Sequence, residues 1–213
     1  MATRAKALQP LSSTAIVEAA LQIADAEGIG ALSMRRVATA LSCAPMSLYE
    51  HVANKDALLD LMADQAMASL PELRPSSPWQ REMTRFFTAF HELFLAHPAV
   101  AHVMVARPLS GPVTLRRGEP AFAVLVAAGF TDAQAVEAFI ALASYTIGAS
   151  LYELARRETH ERDTRFDDST AAEHPLLARL APHLHRSTGG QQFRRGLRHL
   201  LDSYQPGRNP SGL

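Results

Sequence analysis

The sequence predicts an all-α protein built from two helical units, and three observations support this prediction. Apolar side chains recur at three- and four-residue spacing along most of the chain, without the strict alternation of a half-buried strand. Ser33 and Asn54 stand where helix N-caps are expected, directly before such apolar segments. A proline- and serine-rich stretch, PELRPSSP at residues 71–78, then interrupts the pattern. We therefore expect one domain over residues 1–70 and another over residues 71–213.

Four helices are predicted in the first unit. Apolar periodicity begins at Ser12 and ends near Glu27, before two glycines. Ser33 opens a second helix, and Pro45 stands at the first position of a short third helix, where its missing N–H is tolerated. The residues between them, SCA, form an elbow. Asn54 caps a fourth helix that ends near Leu70.

The second unit is predicted to contain longer helices. Their expected bounds are 79–96, a short helix after Pro98, 114–128 interrupted or started by Pro120, 132–158, 175–185 and 191–204. The polar segment 159–174 is expected to be a loop, and the last residues a flexible tail.

The composition limits the classes of function. The chain has 213 residues, a formal net charge of +0 and a pI of about 7.1, which counts against a histone-like polybasic protein but not against a small local basic surface. Its single cysteine, Cys43, allows no intrachain disulfide and fits a reducing compartment. The N-terminus lacks the apolar stretch of a signal peptide, and the apolar runs are shorter than a bilayer span. A cytoplasmic protein without a membrane partner is expected.

The short helices on either side of the elbow are typical of a helix-turn-helix, whose second helix enters the DNA major groove. Phosphates are bound by Lys, Arg and helix N-termini, whereas base edges are read by Arg, small hydroxyls and apolar atoms. The candidate DNA-binding residues on this basis are Arg35, Arg36, Pro45, Met46, Ser47, Tyr49, His51 and Lys55.

The charge of this unit leaves a non-DNA alternative open. Residues 1–70 carry five positive and seven negative side chains, so the unit is not basic overall, and any three-helix bundle shows similar capping. The positive groups, however, gather around the elbow, while most of the acids map to the opposite faces of the first and fourth helices. This segregation favours DNA binding.

The segments LSMRRVA, LYEHV and NKDALL, in this order around the elbow, resemble the DNA-binding domain of the tetracycline-repressor (TetR) family of bacterial regulators. The resemblance covers about the first third of the chain and implies that Met34 also faces the bases and that Lys55 binds a phosphate. Ser42 departs from the family pattern, which usually has glycine at the elbow.

The second unit is similar to the larger domain of the same family through VMVARP, YTIGASLYE and FRRGLRHLLDSY. This similarity implies a homodimer that binds a palindromic operator and releases it when a small molecule binds. It favours a dimer interface made by the long helix predicted over residues 132–158 and the last helix predicted over residues 191–204. The alternative is that the apolar faces of these helices belong to the internal core. The candidate interface residues are Val136, Ile140, Ala143, Ile147, Leu151, Phe193, Leu197, Leu200, Leu201 and Tyr204.

An effector pocket is the remaining expectation for the second unit. Ligand pockets are mostly apolar with a few polar groups, but an aromatic stripe at helical spacing is more often plain core. The candidate effector-binding residues are Phe86, Phe90, Phe94, Met104, Arg107, Phe122, Phe139, Tyr145 and Tyr152.

Metal and catalytic chemistry find little support in the sequence. His97 and His102 are five residues apart and His183 and His185 two apart, neither of which is a helix-face ligand spacing, and common catalytic motifs are absent. We expect no cofactor and no enzymatic activity. The predicted function is a ligand-responsive transcriptional repressor that is released from DNA by a small, mostly apolar effector. The alternatives are an all-α binding or adaptor module that does not contact DNA, and a DNA binder without an effector.

Overall fold

The computed structural model describes residues 11–106, 112–158, 172–186 and 189–207. Within these ranges every regular element is helical, which confirms the predicted all-α class. The N-terminal unit consists of α1 (Ser13–Glu27), a 3-10 turn (Ile29–Ala31), α2 (Met34–Ala40), α3 (Pro45–Tyr49) and α4 (Lys55–Met67). The C-terminal unit consists of α5 (Trp79–Ala96), α6 (Pro98–Ala106), α7 (Pro112–Ala127), α8 (Asp132–Glu158), α9 (Pro175–Arg186) and α10 (Gly190–Ser203).

The two N-caps predicted at Ser33 and Asn54 are present, and Ser12 caps α1 in the same way. The hydroxyl of Ser12 accepts a hydrogen bond from the Ala15 N–H at 3.2 Å, and the hydroxyl of Ser33 accepts one from the Arg36 N–H at the same distance. The Asn54 side chain accepts from the Ala57 N–H at 2.8 Å. Each cap satisfies one of the donors that a helix start leaves without an intrahelical partner, so the local sequence defines where α1, α2 and α4 begin.

The helix α7 differs from the expectation. It begins at Pro112 and runs through Pro120 to Ala127, so Pro120 neither starts nor interrupts it. Most of the predicted polar loop, residues 159–171, and the last residues of the chain lie outside the described ranges.

One continuous core joins the two units. In the N-terminal unit, Ile16, Val37 and Leu48 are fully buried, so α1, α2 and α3 pack against one another. In the C-terminal unit α5 lies against α8, and the buried rings of α5 fill the space between them. The helix α4 contacts both α6 and α7, and α1 contacts α6, so the N-terminal unit is seated on the C-terminal unit by packed helices.

Candidate nucleic-acid interface

The elbow between α2 and α3 is a tight turn held by backbone hydrogen bonds. The Ser42 N–H donates to the Thr39 carbonyl at 3.1 Å, and the Cys43 N–H donates to the Ala38 carbonyl at 3.0 Å. Ser42 has a φ of 53°, in the left-handed region that favours glycine. In the family that this segment resembles, glycine usually occupies this position of the turn. Here a serine occupies it, at some cost in backbone strain.

The short helix α3 holds one side chain in the core and presents others to solvent. Leu48 is fully buried and Val52, just after the helix, is 2% exposed, so these two residues attach α3 to the N-terminal unit. Met46 is 74% exposed and Tyr49 is 48% exposed. Pro45 is exposed at the first helical position, as the sequence predicts.

The flanking helices supply the remaining exposed candidates. Arg35 lies in the first turn of α2, and Lys55 is the first residue of α4, directly after the Asn54 cap. Arg35 and Lys55 are exposed, and so is His51, which lies between α3 and α4. Ser47 is half-buried. The arrangement offers two cations, a large apolar side chain and an aromatic hydroxyl around one elbow.

Two predicted DNA-binding residues are placed differently. Met34 is only 8% exposed and belongs to the core, so the expectation that it faces DNA bases is wrong: its position in the first turn of α2 points it at the packed helices. Arg36 is exposed, but its guanidinium forms an ion pair with the Glu27 carboxylate of α1. Sequence spacing alone does not reveal this contact across nine residues.

Most of the aromatic residues predicted to bind an effector pack against one another. The ring centroids of Phe90 and Phe94 are 4.3 Å apart, and those of Phe122 and Phe139 are 4.6 Å apart. Phe86, Phe90, Phe94 and Met104 are buried, and Phe122 and Phe139 are partly buried against the core. This is the plain-core arrangement, so their contact with a ligand stays a prediction. Arg107 lies outside the described residues.

The two predicted tyrosines occupy a different place, between α8 and α10. Tyr145 is half-buried and its hydroxyl donates to the Phe193 carbonyl at 3.2 Å; burial raises the pKa of this phenol. Tyr152 is 62% exposed. Both border a small cavity of about 60 Å³, whose other lining residues are Ala149, Glu153, Gly189, Gln192 and Phe193.

A buried polar cluster beside this cavity was not predicted. The Ser150 hydroxyl donates to the Thr146 carbonyl at 2.7 Å and also lies 2.7 Å from Nδ1 of His91. Nε2 of His91 lies 3.3 Å from a Glu153 carboxylate oxygen, and the ring stacks on Phe193 at 3.9 Å. Burial lowers the pKa of His91, and the Glu153 carboxylate opposes that shift. The available sequence signal was a histidine within the apolar stripe of α5.

Two open grooves flank the segment that connects α4 to α5, here called the connecting segment (residues 68–78). One, of about 740 Å³, is bordered by the outer face of α5, including Arg81, Thr84 and Arg85. The other, of about 560 Å³, is bordered by Arg116, Arg117 and Pro120 of α7. Neither groove is lined by a residue predicted to bind an effector.

Metal-binding side chains do not converge in the described ranges. No group of three or more His, Cys, Asp or Glu side chains there is close enough to hold a metal ion. The groups that the surface around the elbow offers for binding are therefore exposed cations, hydroxyls and apolar atoms.

Comparison with known families decides the class of the protein. A family profile described as "Tetracyclin repressor-like, C-terminal domain" matches residues 70–204, and one described as "Bacterial regulatory proteins, tetR family" matches residues 16–62. The chain belongs to the tetR family. It is therefore a ligand-responsive, DNA-binding transcriptional regulator rather than an enzyme.

Individual relatives agree with this membership. An HTH-type transcriptional regulator of Saccharopolyspora erythraea is 37% identical over 174 residues, which are 81% of this chain and 72% of the relative. The HTH-type transcriptional repressor DrrR1 of Streptomyces coeruleorubidus is 36% identical over 169 residues, 78% of this chain and 62% of the relative. The solved structure of the Streptomyces coelicolor TetR family protein ActR in complex with actinorhodin superposes with a TM-score of 0.73 at 29% identity, covering 91% of this chain and 94% of ActR.

TetR-family proteins function as dimers. Among the predicted interface residues, α8 carries exposed apolar side chains. Val136 is 46% exposed and Ile140 is 57% exposed, whereas Ala143, Ile147 and Leu151 are half-buried. An 18-residue window within Asp132–Arg157 has a mean hydropathy of 1.3, and only 28% of that window is buried within the chain. By length and composition α8 could also cross a membrane, but an interface helix has the same properties.

The predicted contribution of α10 to the dimer interface needs correction. Phe193, Leu197 and Leu201 are at most 2% exposed within a single chain, because this face of α10 packs on α5 and α8. These three residues are internal core, which was the alternative interpretation of the pattern. Leu200 and Tyr204 are half-buried and remain candidates for contact with a partner copy.

Proposed function

We propose that this TetR-family regulator is a repressor that binds a palindromic operator as a homodimer through the surface around its elbow. The observation that carries the proposal is the exposure of Met46. A large apolar side chain that is 74% exposed in the first turn of α3 makes no contribution to the core, which Leu48 alone serves from this helix. In the major groove such a side chain can contact a thymine methyl group.

The surrounding residues have complementary roles in this proposal. Arg35 reaches a guanine edge or a phosphate, and Lys55 binds a phosphate at the start of α4, where the N–H groups of the helix also favour an anion. Tyr49 and His51 contact the sugar–phosphate backbone. Arg36 contributes less, because its charge is already shared with Glu27.

The effector is proposed to be a small, mostly apolar molecule that binds among the rings of α5, α7 and α8. Phe122 and Phe139 are the side chains that it would separate, since their ring centroids lie 4.6 Å apart. The structure of the TetR family protein ActR in complex with actinorhodin supports a small-molecule effector. Binding would favour a conformer in which the two α3 helices no longer match one turn of DNA, about 34 Å apart.

The partner copy is proposed to cover the exposed face of α8, with Val136 and Ile140 at its centre. Leu200 and Tyr204 of α10 would lie at the edge of the same interface. A DNA-binding regulator with this organisation acts in the cytoplasm, which is also the compartment that a single free cysteine fits.

Selection of duplexes from a random pool by the purified protein, followed by fluorescence anisotropy over a salt series, tests the proposal. A selected duplex should bind at least about a thousandfold more tightly than its scrambled version. Lys55→Ala should weaken binding to both duplexes by a similar factor and flatten the salt slope by about one unit. Met46→Ala should weaken binding to the selected duplex alone.

A matched control is Arg116→Ala, which removes an exposed cation from the C-terminal unit and should leave the salt slope unchanged. If no duplex is enriched and binding to every duplex is weak, the alternative of an all-α ligand-binding module gains support. The observation in its favour is the excess of seven acidic over five basic side chains in residues 1–70.

A further inference from the structure

The N-terminal and C-terminal units exchange helix caps. The Asp25 carboxylate of α1 accepts a hydrogen bond from Nδ1 of His97 at 2.7 Å, and its other oxygen lies 3.4 Å from the Ala99 N–H. His97 and Ala99 surround Pro98, the first residue of α6. Because proline has no N–H, Ala99 carries the first free donor of this helix, and the carboxylate that receives it comes from the N-terminal unit.

The opposite exchange occurs at the end of α4. The Arg117 guanidinium of α7 donates to the Ala68 carbonyl at 2.9 Å, and it also lies 4.0 Å from the Glu72 carboxylate. Ala68 is the C-cap residue of α4, so its carbonyl has no partner within the helix. A cation of the C-terminal unit therefore occupies the negative end of a helix of the N-terminal unit.

The two contacts act on different helices of the same unit. Asp25 belongs to α1 and Ala68 ends α4, and these two helices pack on each other with α2 and α3 between them in the chain. The apolar packing of α1 and α4 on α6 and α7 holds the two units together but is non-directional. Two directional contacts, on two helices that are packed together, add a restraint on the orientation of the N-terminal unit.

We propose that Asp25 and Arg117 are positioning residues that set the half-site spacing accepted by the dimer. The inference rests on the proposed function, since spacing has meaning only for a homodimer on a palindromic operator. Half-sites recur every 34–36 Å, about 10–10.5 base pairs, so one added base pair shifts a half-site by about 3.4 Å and also rotates it. A dimer discriminates against that shift only if each N-terminal unit is held in one orientation.

The test compares spacing variants of a duplex that the wild-type protein selects from a random pool. One or two base pairs are inserted at its centre. Wild-type protein should lose about tenfold or more in affinity per insertion, which is comparable to the loss caused by a mismatched base pair. The double variant Asp25→Ala/Arg117→Met should bind the parent duplex more weakly than the wild type does. Its affinity for a duplex with an insertion should, however, be less than about threefold below its affinity for the parent duplex.

The matched control is Glu18→Ala/Arg116→Met, which removes one exposed acid of α1 and one exposed cation of α7. It should discriminate between the parent duplex and the spacing variants as strongly as the wild type does. Equal discrimination by the double variant and the wild type would overturn the inference. Circular dichroism of each variant verifies folding, and Asp25→Asn with Arg117→Lys is a milder pair if the first does not fold.

A second measurement does not depend on DNA. Replacing Cys43 by serine and the exposed Met46 by cysteine places one spin label per copy on α3, and electron–electron resonance then gives the distance between the two labels in the dimer. The distance distribution should be narrow in the parent and in the control, and clearly broader in the Asp25→Ala/Arg117→Met background. An unchanged width refutes the inference. Failure to enrich any duplex would instead refute the proposed function and leave the distance measurement as the deciding test.

Discussion

Tyr145 of α8 lies directly over Gly196 of α10. A Cβ atom at position 196 would stand 2.0 Å from the Tyr145 hydroxyl oxygen and 2.6 Å from the ring carbon that carries it. The same hydroxyl donates to the Phe193 carbonyl, and the Tyr145 ring stacks on Phe193 at 5.7 Å. The absence of a side chain at Gly196 is thus what allows α8 and α10 to approach closely enough for Tyr145 to fit between them.

Gly196→Ala is therefore expected to destabilise the chain by about 1–3 kcal/mol, because Tyr145 must leave its hydrogen bond or the helices must separate. Urea unfolding at fixed protomer concentration measures the change. Adding Tyr145→Ala should remove most of the extra cost in a double-mutant cycle. Gly30→Ala is the control, since nothing lies within 4 Å of its Cβ position, and an equal loss there would contradict the steric explanation.

Ser42→Gly is expected to stabilise the chain by about 1 kcal/mol. The φ of 53° at Ser42 is strained for a residue with a Cβ atom, and glycine removes that strain although it loses more backbone entropy on folding. Thermal unfolding should show a higher midpoint for this variant than for the wild type. Ser42→Ala retains the Cβ atom and should give no such gain; a gain of the same size would point to a side-chain effect.

Glu82 should make stability depend on acid pH. Its buried carboxylate binds the Arg85 guanidinium at 2.6 Å, which lowers its pKa, and accepts from the Arg74 N–H at 3.0 Å. Because the folded-state pKa lies below the ordinary value of 4.5, the unfolded chain binds the proton more readily, and this contribution is lost as the pH falls below 4.5.

The corresponding measurement is urea unfolding of wild type and Glu82→Gln between pH 7 and pH 3. The wild type should be the more stable protein above about pH 5, and the difference should shrink as the pH falls below 4.5. The exposed carboxylate of Glu119 provides the control, since Glu119→Gln should match the wild type throughout. If the stability difference between the wild type and Glu82→Gln stays constant with pH, the ion pair between Glu82 and Arg85 is excluded as its source.

Ile140→Glu should dissociate the homodimer. Ile140 is 57% exposed in one chain, so a carboxylate there is harmless to the monomer but would be buried without a partner in the proposed interface. We expect the dissociation constant to rise by more than about a hundredfold in sedimentation experiments. Val126→Glu makes the same type of change at a 48% exposed site on α7 and should leave the dimer intact. Comparable dissociation by both variants would show that α8 is not the specific interface.

The sequence was informative wherever structure depends on near neighbours. Ser33 and Asn54 cap the helices that they were predicted to cap, because a cap involves only residues three positions apart. The exposure of Met46 and Tyr49 also follows from the short α3, which has only Leu48 to bury.

Predictions about which face of a helix meets which neighbour were less successful. The apolar stripe of α10 was predicted to meet another copy, yet Phe193, Leu197 and Leu201 pack inside the chain. Periodicity reveals that a helix has an apolar face but not what covers it, since a partner copy and the chain's own α5 and α8 bury the same side chains. Met34 failed as a DNA contact for the same reason.

The sequence by itself therefore determined the helices, their caps, the elbow and the family of this protein, all of which depend on local spacing and on residues in fixed order. Only the tertiary structure decided that Ser42 adopts a left-handed conformation, that Gly196 makes room for Tyr145, and that Asp25 and Arg117 cap helices of the opposite unit. Asp25 and Ala99 are 74 residues apart, and Arg117 and Ala68 are 49 apart. Contacts at such separations leave no periodic pattern, because they depend on how whole helices pack and not on the order of neighbouring residues.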